Sequence, residues 1–263
     1  MQEITIDLNK LKATVKERKF NLTGDKNQKS VYVPDSNTLF SIYSSLQKIS
    51  NHPALSEYKS RVSSDLLKII ASIIYTESGG NPHVINIYKD VKAYGLFQFV
   101  ETTFKELTSK YTEKIDSILQ KMYGKNYYYV KNLLQMKSSN YLAVNLPEDT
   151  QYILGFVFLF DTDPKLDVLW NSNKLAVLFR NWKPSCALQF ADCIKKYYNP
   201  NYDYLYNLNL ISSSACMKSY TSKLCKTYHW EGIRHASSLL KNFATLKGNL
   251  KNEMEVLTWL KNS

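Results

Sequence analysis

From Asp65 the chain reads DLLKIIASIIYTE, with apolar residues at 66, 67, 69, 70, 73 and 74. That spacing follows a 3.6-residue period and leaves one broad apolar face, so residues 62–78 are predicted to form a helix buried along one side. Ser63, Ser64 and Asp65 are N-cap candidates, because their side-chain oxygens can accept from the free amides of a first turn. Gly79 and Gly80 follow, and glycine takes the left-handed conformation that ends a helix. Glu77 falls four residues after Ile73 and seven after Ile70, on the inward side of the last turn. Burial disfavours a charged carboxyl, and so does the negative end of a helix dipole. A glutamic acid in that setting suits general acid chemistry near neutral pH. The plainer reading is a solvated glutamate at a helix end, since Glu is seldom buried.

The same periodicity recurs along the chain. It predicts helices at 37–50, 102–122, 126–137, 148–161, 173–181 and 185–198, and two more between 229 and 262. Residues 79–101 read as a loop. With only eight glycines in 263 residues, the pattern points to an all-α fold. Breakers at Gly24-Asp25, Pro34-Asp35, Asn51-His52-Pro53 and Pro184 divide it. They give an N-terminal extension at 1–60, a helical domain at 61–198 and a C-terminal helical extension at 199–263.

Composition removes several classes. The apolar run from Ile153 to Phe160 is too short to span a bilayer, so no transmembrane segment is expected. The net charge of +11 favours anionic partners, but the lysines are dispersed and no nucleic-acid motif accompanies them. No specific nucleic-acid partner is expected. The cysteines at 186, 193, 216 and 225 do not have paired zinc-ligand spacing. Cross-bridges from Cys186 and Cys193 to Cys216 and Cys225, or buried free thiols, both fit. The histidines at 52, 83, 229 and 235 form no ligand cluster, so neither a catalytic metal nor a cofactor is expected.

Two short motifs sharpen this reading. Residues 77–82 are ESGGNP, and residues 94–99 are YGLFQF. In this order and at this spacing they resemble the soluble lytic transglycosylases, a lysozyme-like family related to the goose-type lysozymes. That family carries Glu-Ser-Gly with a nearby Asn-Pro, then Gly-Leu-Met-Gln and a helix opened by threonine. Here Phe97 replaces the methionine, and Thr102-Thr103-Phe104 opens the next predicted helix. The family's third motif, Asn-Ile-x-x-Gly-x-x-Tyr-Leu, is met at Gly155, Phe158 and Leu159 but not at Gln151 and Tyr152. Its fourth, Ala-Tyr-Asn-x-Gly, survives only at Asn181, and Arg180 stands in place of the tyrosine. Phe179 or a nearby tyrosine is then the candidate to line the cleft.

The resemblance covers roughly residues 62–185. It implies a lysozyme-like helical domain acting on peptidoglycan glycan strands. Glu77 would protonate the leaving glycosidic oxygen and then accept the proton of the muramic acid 6-hydroxyl, giving a 1,6-anhydro product. Ser78, Phe97, Gln98 and Asn181 would contact substrate, and Gly95 would let the backbone approach a sugar. Hydrolysis is the competing chemistry, with Asp90 as a second carboxylate that positions water. Glu101 fits better in the first turn of a helix, where the dipole favours it. A non-catalytic virion protein with a degenerate lysozyme-like fold is the third reading. The N-terminus MQEITIDLNKLKATVKERKF has no signal-peptide layout. The expectation is therefore a virion-associated protein, or one exported to the envelope by another route. The terminal extensions would bind other virion or secretion-machine proteins. The tyrosine-rich run 197–206 is read either as a sugar-stacking surface or as a packed loop.

Overall fold

The computed structural model describes residues 16–19, 34–88, 91–135, 145–181, 184–198 and 220–263. Its strands are β1 (Lys16–Lys19), β2 (Val84–Tyr88), β3 (Val91–Tyr94) and β4 (Phe99–Val100). The helices up to the middle of the chain are α1 (Ser36–Ser50), α2 (Ser64–Ser78), α3 (Glu101–Lys110), α4 (Thr112–Tyr123), α5 (Tyr127–Gln135) and α6 (Glu148–Asp161). Then come α7 (Leu166–Ser172), α8 (Val177–Arg180), α9 (Ala187–Tyr197), α10 (Lys223–Lys247) and α11 (Glu253–Asn262). The described residues are thus mainly helical, as the periodicity requires. Among them no helix is long and apolar enough to cross a membrane.

The chain sorts into two units. The first holds residues 1–30, 51–56 and 77–157, and the second holds 31–50, 57–76 and 158–263. In the first, the segment read as a loop is a sheet with strand order β1-β2-β3-β4. β2 and β3 form an antiparallel hairpin with Ile85 opposite Tyr94 and Ile87 opposite Lys92. β1 pairs parallel to β2, and β4 pairs antiparallel to β3. The correction has a physical reason. Ile85 and Ile87 share a strand face under period-two alternation, and both pack with Tyr94 and Phe104. Lys89 and Asp90 lie outside the described residues. The helix predicted at 102–122 is two, α3 and α4, broken at Tyr111 (φ −113°, ψ 24°). Glu101 occupies the first turn of α3 and pairs with Lys105, as its type at that place requires.

In the second unit, α2 is bonded to α1 through the Ser64 and Tyr43 hydroxyls, 2.9 Å apart, and to α10 through Asp65 and Lys247 at 2.8 Å. Ser63 caps α2, accepting from the Leu66 amide at 3.1 Å. The helix predicted at 173–181 is a 3₁₀ turn at Lys174–Ala176 that leads into α8, and it is preceded by α7, which the periodicity did not predict. α10 begins six residues before the predicted 229 and ends at Gly248, which is left-handed (φ 71°). Asn252 then caps α11, accepting from the Glu255 amide at 3.0 Å, while Glu255 accepts from the Lys251 amide at 2.8 Å.

An ionic hub sits among this unit's apolar side chains. Arg61 donates Nε to Asp167 at 2.7 Å, Nη2 to the same carboxylate at 2.9 Å, and Nη1 to Asp161 at 3.1 Å. Its Nη2 also meets the Phe160 carbonyl, and Tyr58 donates its hydroxyl to Asp161 at 2.6 Å. Burial works to raise the Asp167 carboxyl, but the Arg61 hydrogen bonds and charge outweigh it and hold it below the ordinary carboxylate value. Cys186 is bonded to Cys225, with Cα atoms 5.5 Å apart, and Cys193 is also disulfide-bonded. The free-thiol reading therefore fails for these three. Cys216 lies outside the described residues.

Two outcomes follow from this unit. Cutting the 39-residue Cys186–Cys225 link, by Cys186→Ser with Cys225→Ser, is expected to cost about 3–4 kcal/mol in urea unfolding. Because the Asp167 pKa is depressed on folding, its contribution is present above the unfolded-state value and lost as pH falls through the folded one. Urea unfolding of wild type and Asp167→Asn should therefore show a stability gap that is widest near neutrality and closes below about pH 4.

Candidate functional site

The ESGGNP and YGLFQF segments, the hairpin and the first part of α6 all belong to the first unit. Glu77 is half-buried in the last turn of α2. Gly79 (φ 66°) and Gly80 (φ 77°) stop the helix immediately after it. Ser78 is 1% exposed, and its hydroxyl accepts the Gly80 amide at 3.2 Å, so the side chain builds the turn that leaves the helix. Asn81 extends that turn, its Oδ1 accepting from the His83 amide at 2.8 Å.

The second motif is a tight turn folded onto the end of the hairpin. The Gly95 amide donates to the Val84 carbonyl at 3.0 Å, and the Gln98 amide returns to the Gly95 carbonyl at 3.3 Å. Gly95 has φ 70°, a conformation that a side chain would strain. Gln98 adopts a positive φ as well, 50°, although it is not glycine. Its Nε2 donates to the Gly95 carbonyl at 2.7 Å and to Val84 at 3.3 Å. These two bonds fix which way the amide points. Its Oε1 is buried and has no hydrogen-bond partner among the described residues.

Two residues that sequence reasoning did not place in the site belong to it. Asn86 on β2 donates Nδ2 to the Glu77 carbonyl at 3.0 Å, which ties the hairpin to the end of α2. Its Oδ1, like that of Gln98, is a buried acceptor without a partner among the described residues. Gln151 on α6 is 4% exposed and serves both motifs. Its Oε1 accepts from the Leu96 amide at 2.9 Å, and its Nε2 donates to the carbonyls of Pro82 at 3.0 Å and Leu146 at 3.2 Å. The signal was a polar residue at the edge of the apolar run of α6, at the place where the resemblance failed.

Phe97, expected among the substrate contacts, is 4% exposed and faces the interior. A Cβ on Gly155 would lie 2.1 Å from the Phe97 ring, so the glycine in α6 exists to admit that ring. Arg180 and Asn181 belong to the second unit. Arg180 is fully buried and serves the C-terminal end of α6. It donates Nε to the Pro164 carbonyl at 2.8 Å, and Nη2 to Phe158 at 2.7 Å and Thr162 at 3.0 Å. The guanidinium also lies 4.5 Å from the Phe158 ring centroid. Burial pushes its pKa down to about 10, against the charge of Asp163, so it remains cationic at neutral pH. A tyrosine could not supply these donors, which accounts for the departure from the fourth motif. Phe179 is buried 4.9 Å from the Phe190 ring and lines no open surface. Asn181 is the half-buried C-cap of α8.

A helical domain with a half-buried glutamate at a helix end, beside a small sheet and a glycine turn, is lysozyme-like. Residues 55–142, about a third of the chain, match the family described as the transglycosylase SLT domain. Over that span the chain is similar to the soluble lytic transglycosylase type, and the match supports peptidoglycan lytic transglycosylase activity in general. Comparison with curated proteins and with solved structures gives no match.

The packing of Gly155 on Phe97 yields a direct check. Gly155→Ala should destabilise the protein by about 1–3 kcal/mol in urea unfolding, and Phe97→Leu in the same chain should recover part of that loss.

Proposed function

We propose that the protein cleaves the β-1,4 bond between N-acetylmuramic acid and N-acetylglucosamine in peptidoglycan, with Glu77 as the sole acid and base. Glu77 donates its proton to the leaving glycosidic oxygen as the C1–O bond breaks. It then accepts the proton of the muramic acid 6-hydroxyl as that oxygen closes on C1. No water is consumed, and the product is a 1,6-anhydro sugar. The observation that carries this reading is the pair of buried acceptors, Asn86 Oδ1 on β2 and Gln98 Oε1 in the glycine turn. Buried polar atoms are normally paired, and unmet acceptors call for a ligand rich in donors. Sugar hydroxyls and acetamido N–H groups are such donors. A strained Gln98 in the same turn fits a functional constraint.

The disulfide between Cys186 and Cys225 supports a protein that works outside a reducing cytoplasm. We infer local opening of the cell wall, by a virion or an envelope-spanning machine, as the setting. Ser78 enters this reading as the builder of the turn beside the acid.

The test is mass spectrometry of muropeptides released from purified peptidoglycan. Wild type should release anhydro-muropeptides, and Glu77→Gln should lower their yield at least about 100-fold. Products one water heavier would replace this reading with hydrolysis and bring Asp90 forward. No release from walls of several types would leave a glycan-binding scaffold instead.

A further inference from the structure

The last turn of α2 is held by a side chain from far outside the matched span. Asn242, in the middle of α10, is fully buried. Its Nδ2 donates to the Thr76 hydroxyl oxygen at 2.9 Å and toward the Ser72 carbonyl at 3.4 Å. Ser72 lies one turn before Thr76, and Thr76 immediately precedes Glu77. A second grip holds the other end of α2, where Lys247 donates to both oxygens of Asp65 at 3.0 and 2.8 Å. α10 is itself anchored. Leu239, Leu240 and Phe243 are fully buried, and Cys225 joins its first turn to Cys186. A fully buried amide is costly unless its hydrogen bonds are used, and an apolar residue would fill the same space more cheaply. These bonds go to the turn that carries the acid.

We propose that Asn242 is a positioning residue for Glu77, acting through Thr76. It sets the rotation and height of the last turn of α2 and so the place from which the carboxyl delivers its proton. The inference rests on Glu77 being the acid.

The experiment uses the full chain with soluble, uncrosslinked glycan strands, and follows anhydro-product release for kcat and KM together with thermal melting. Asn242→Ala and the near-isosteric Thr76→Val should each lower kcat about 10- to 100-fold while KM moves less than about twofold, because a misplacement near 1 Å can cost on the order of 100-fold. Thr76→Ser keeps the acceptor oxygen and should restore kcat to within about threefold of wild type. The double variant should be no slower than the slower single, since both remove one interaction. Lys247→Met cuts the other grip, and should lower the melting temperature while leaving kcat within about twofold. An active wild type with unchanged kcat in Thr76→Val overturns the proposal. So does a kcat loss in Lys247→Met equal to that of the other variants at matched stability. Should Asn242→Ala fail to fold, the Thr76→Val and Thr76→Ser pair decides alone. A wild type that releases no product overturns the reading of Glu77 and this inference with it.

Discussion

A buried primary amide must find partners for two N–H groups and a carbonyl, and in this protein that requirement organises the site. Gln151 meets it with three backbone groups from three separate segments, at Pro82, Leu96 and Leu146. Pro82 belongs to the turn that leaves α2, and Leu96 to the turn that carries Gln98. The first has no regular ladder to hold it, and the second closes only the short β3–β4 pair. Each is fixed because releasing it would strand a polar group in the interior, at roughly 1–3 kcal/mol per group. The positive φ of Gln98 persists in that frame, and its own amide offsets the strain through two carbonyl bonds.

The two arginines of the second unit answer a related problem at the far end of α6. The last carbonyls of a helix lack intrahelical donors, and the helix dipole makes that end negative. Arg61 reaches the Phe160 carbonyl and the Asp161 carboxylate, while Arg180 reaches the Phe158 and Thr162 carbonyls. Arg61 is balanced by two carboxylates. Arg180 has no carboxylate within hydrogen-bond reach among its described partners, and the charge of Asp163 is what opposes the cost of its burial. A buried cation held in this way adds specificity of placement more surely than it adds stability.

The parts legible in sequence were those fixed by neighbours in sequence. Residues 65–77 carried their own period, Ser63 its own cap, and Gly79 and Gly80 their own stop. The hairpin was missed because Val84–Tyr88 and Val91–Tyr94 are short and carry polar Asn86 and Lys92 within them. Their pairing becomes visible only when Tyr94 meets Ile85. α7 is only seven residues long, between the predicted helices at 148–161 and 173–181, and was not expected. Phe97 was read by analogy as a contact with substrate, but the residue that decides its fate is Gly155, 58 positions later. The donors of Arg180 were likewise invisible, since their acceptors are backbone carbonyls that no side-chain pattern marks.

The span that matches a known family ends at residue 142, before α6 begins at Glu148. Gln151, which holds both motif turns, and Gly155, which admits Phe97, therefore lie beyond it, as do the grips that α10 places on α2. Inheritance and architecture divide this chain at different points. The recognisable segment omits side chains on which its own turns depend. Its signature residues would not hold their geometry if grafted elsewhere without a surrogate for the helix that follows.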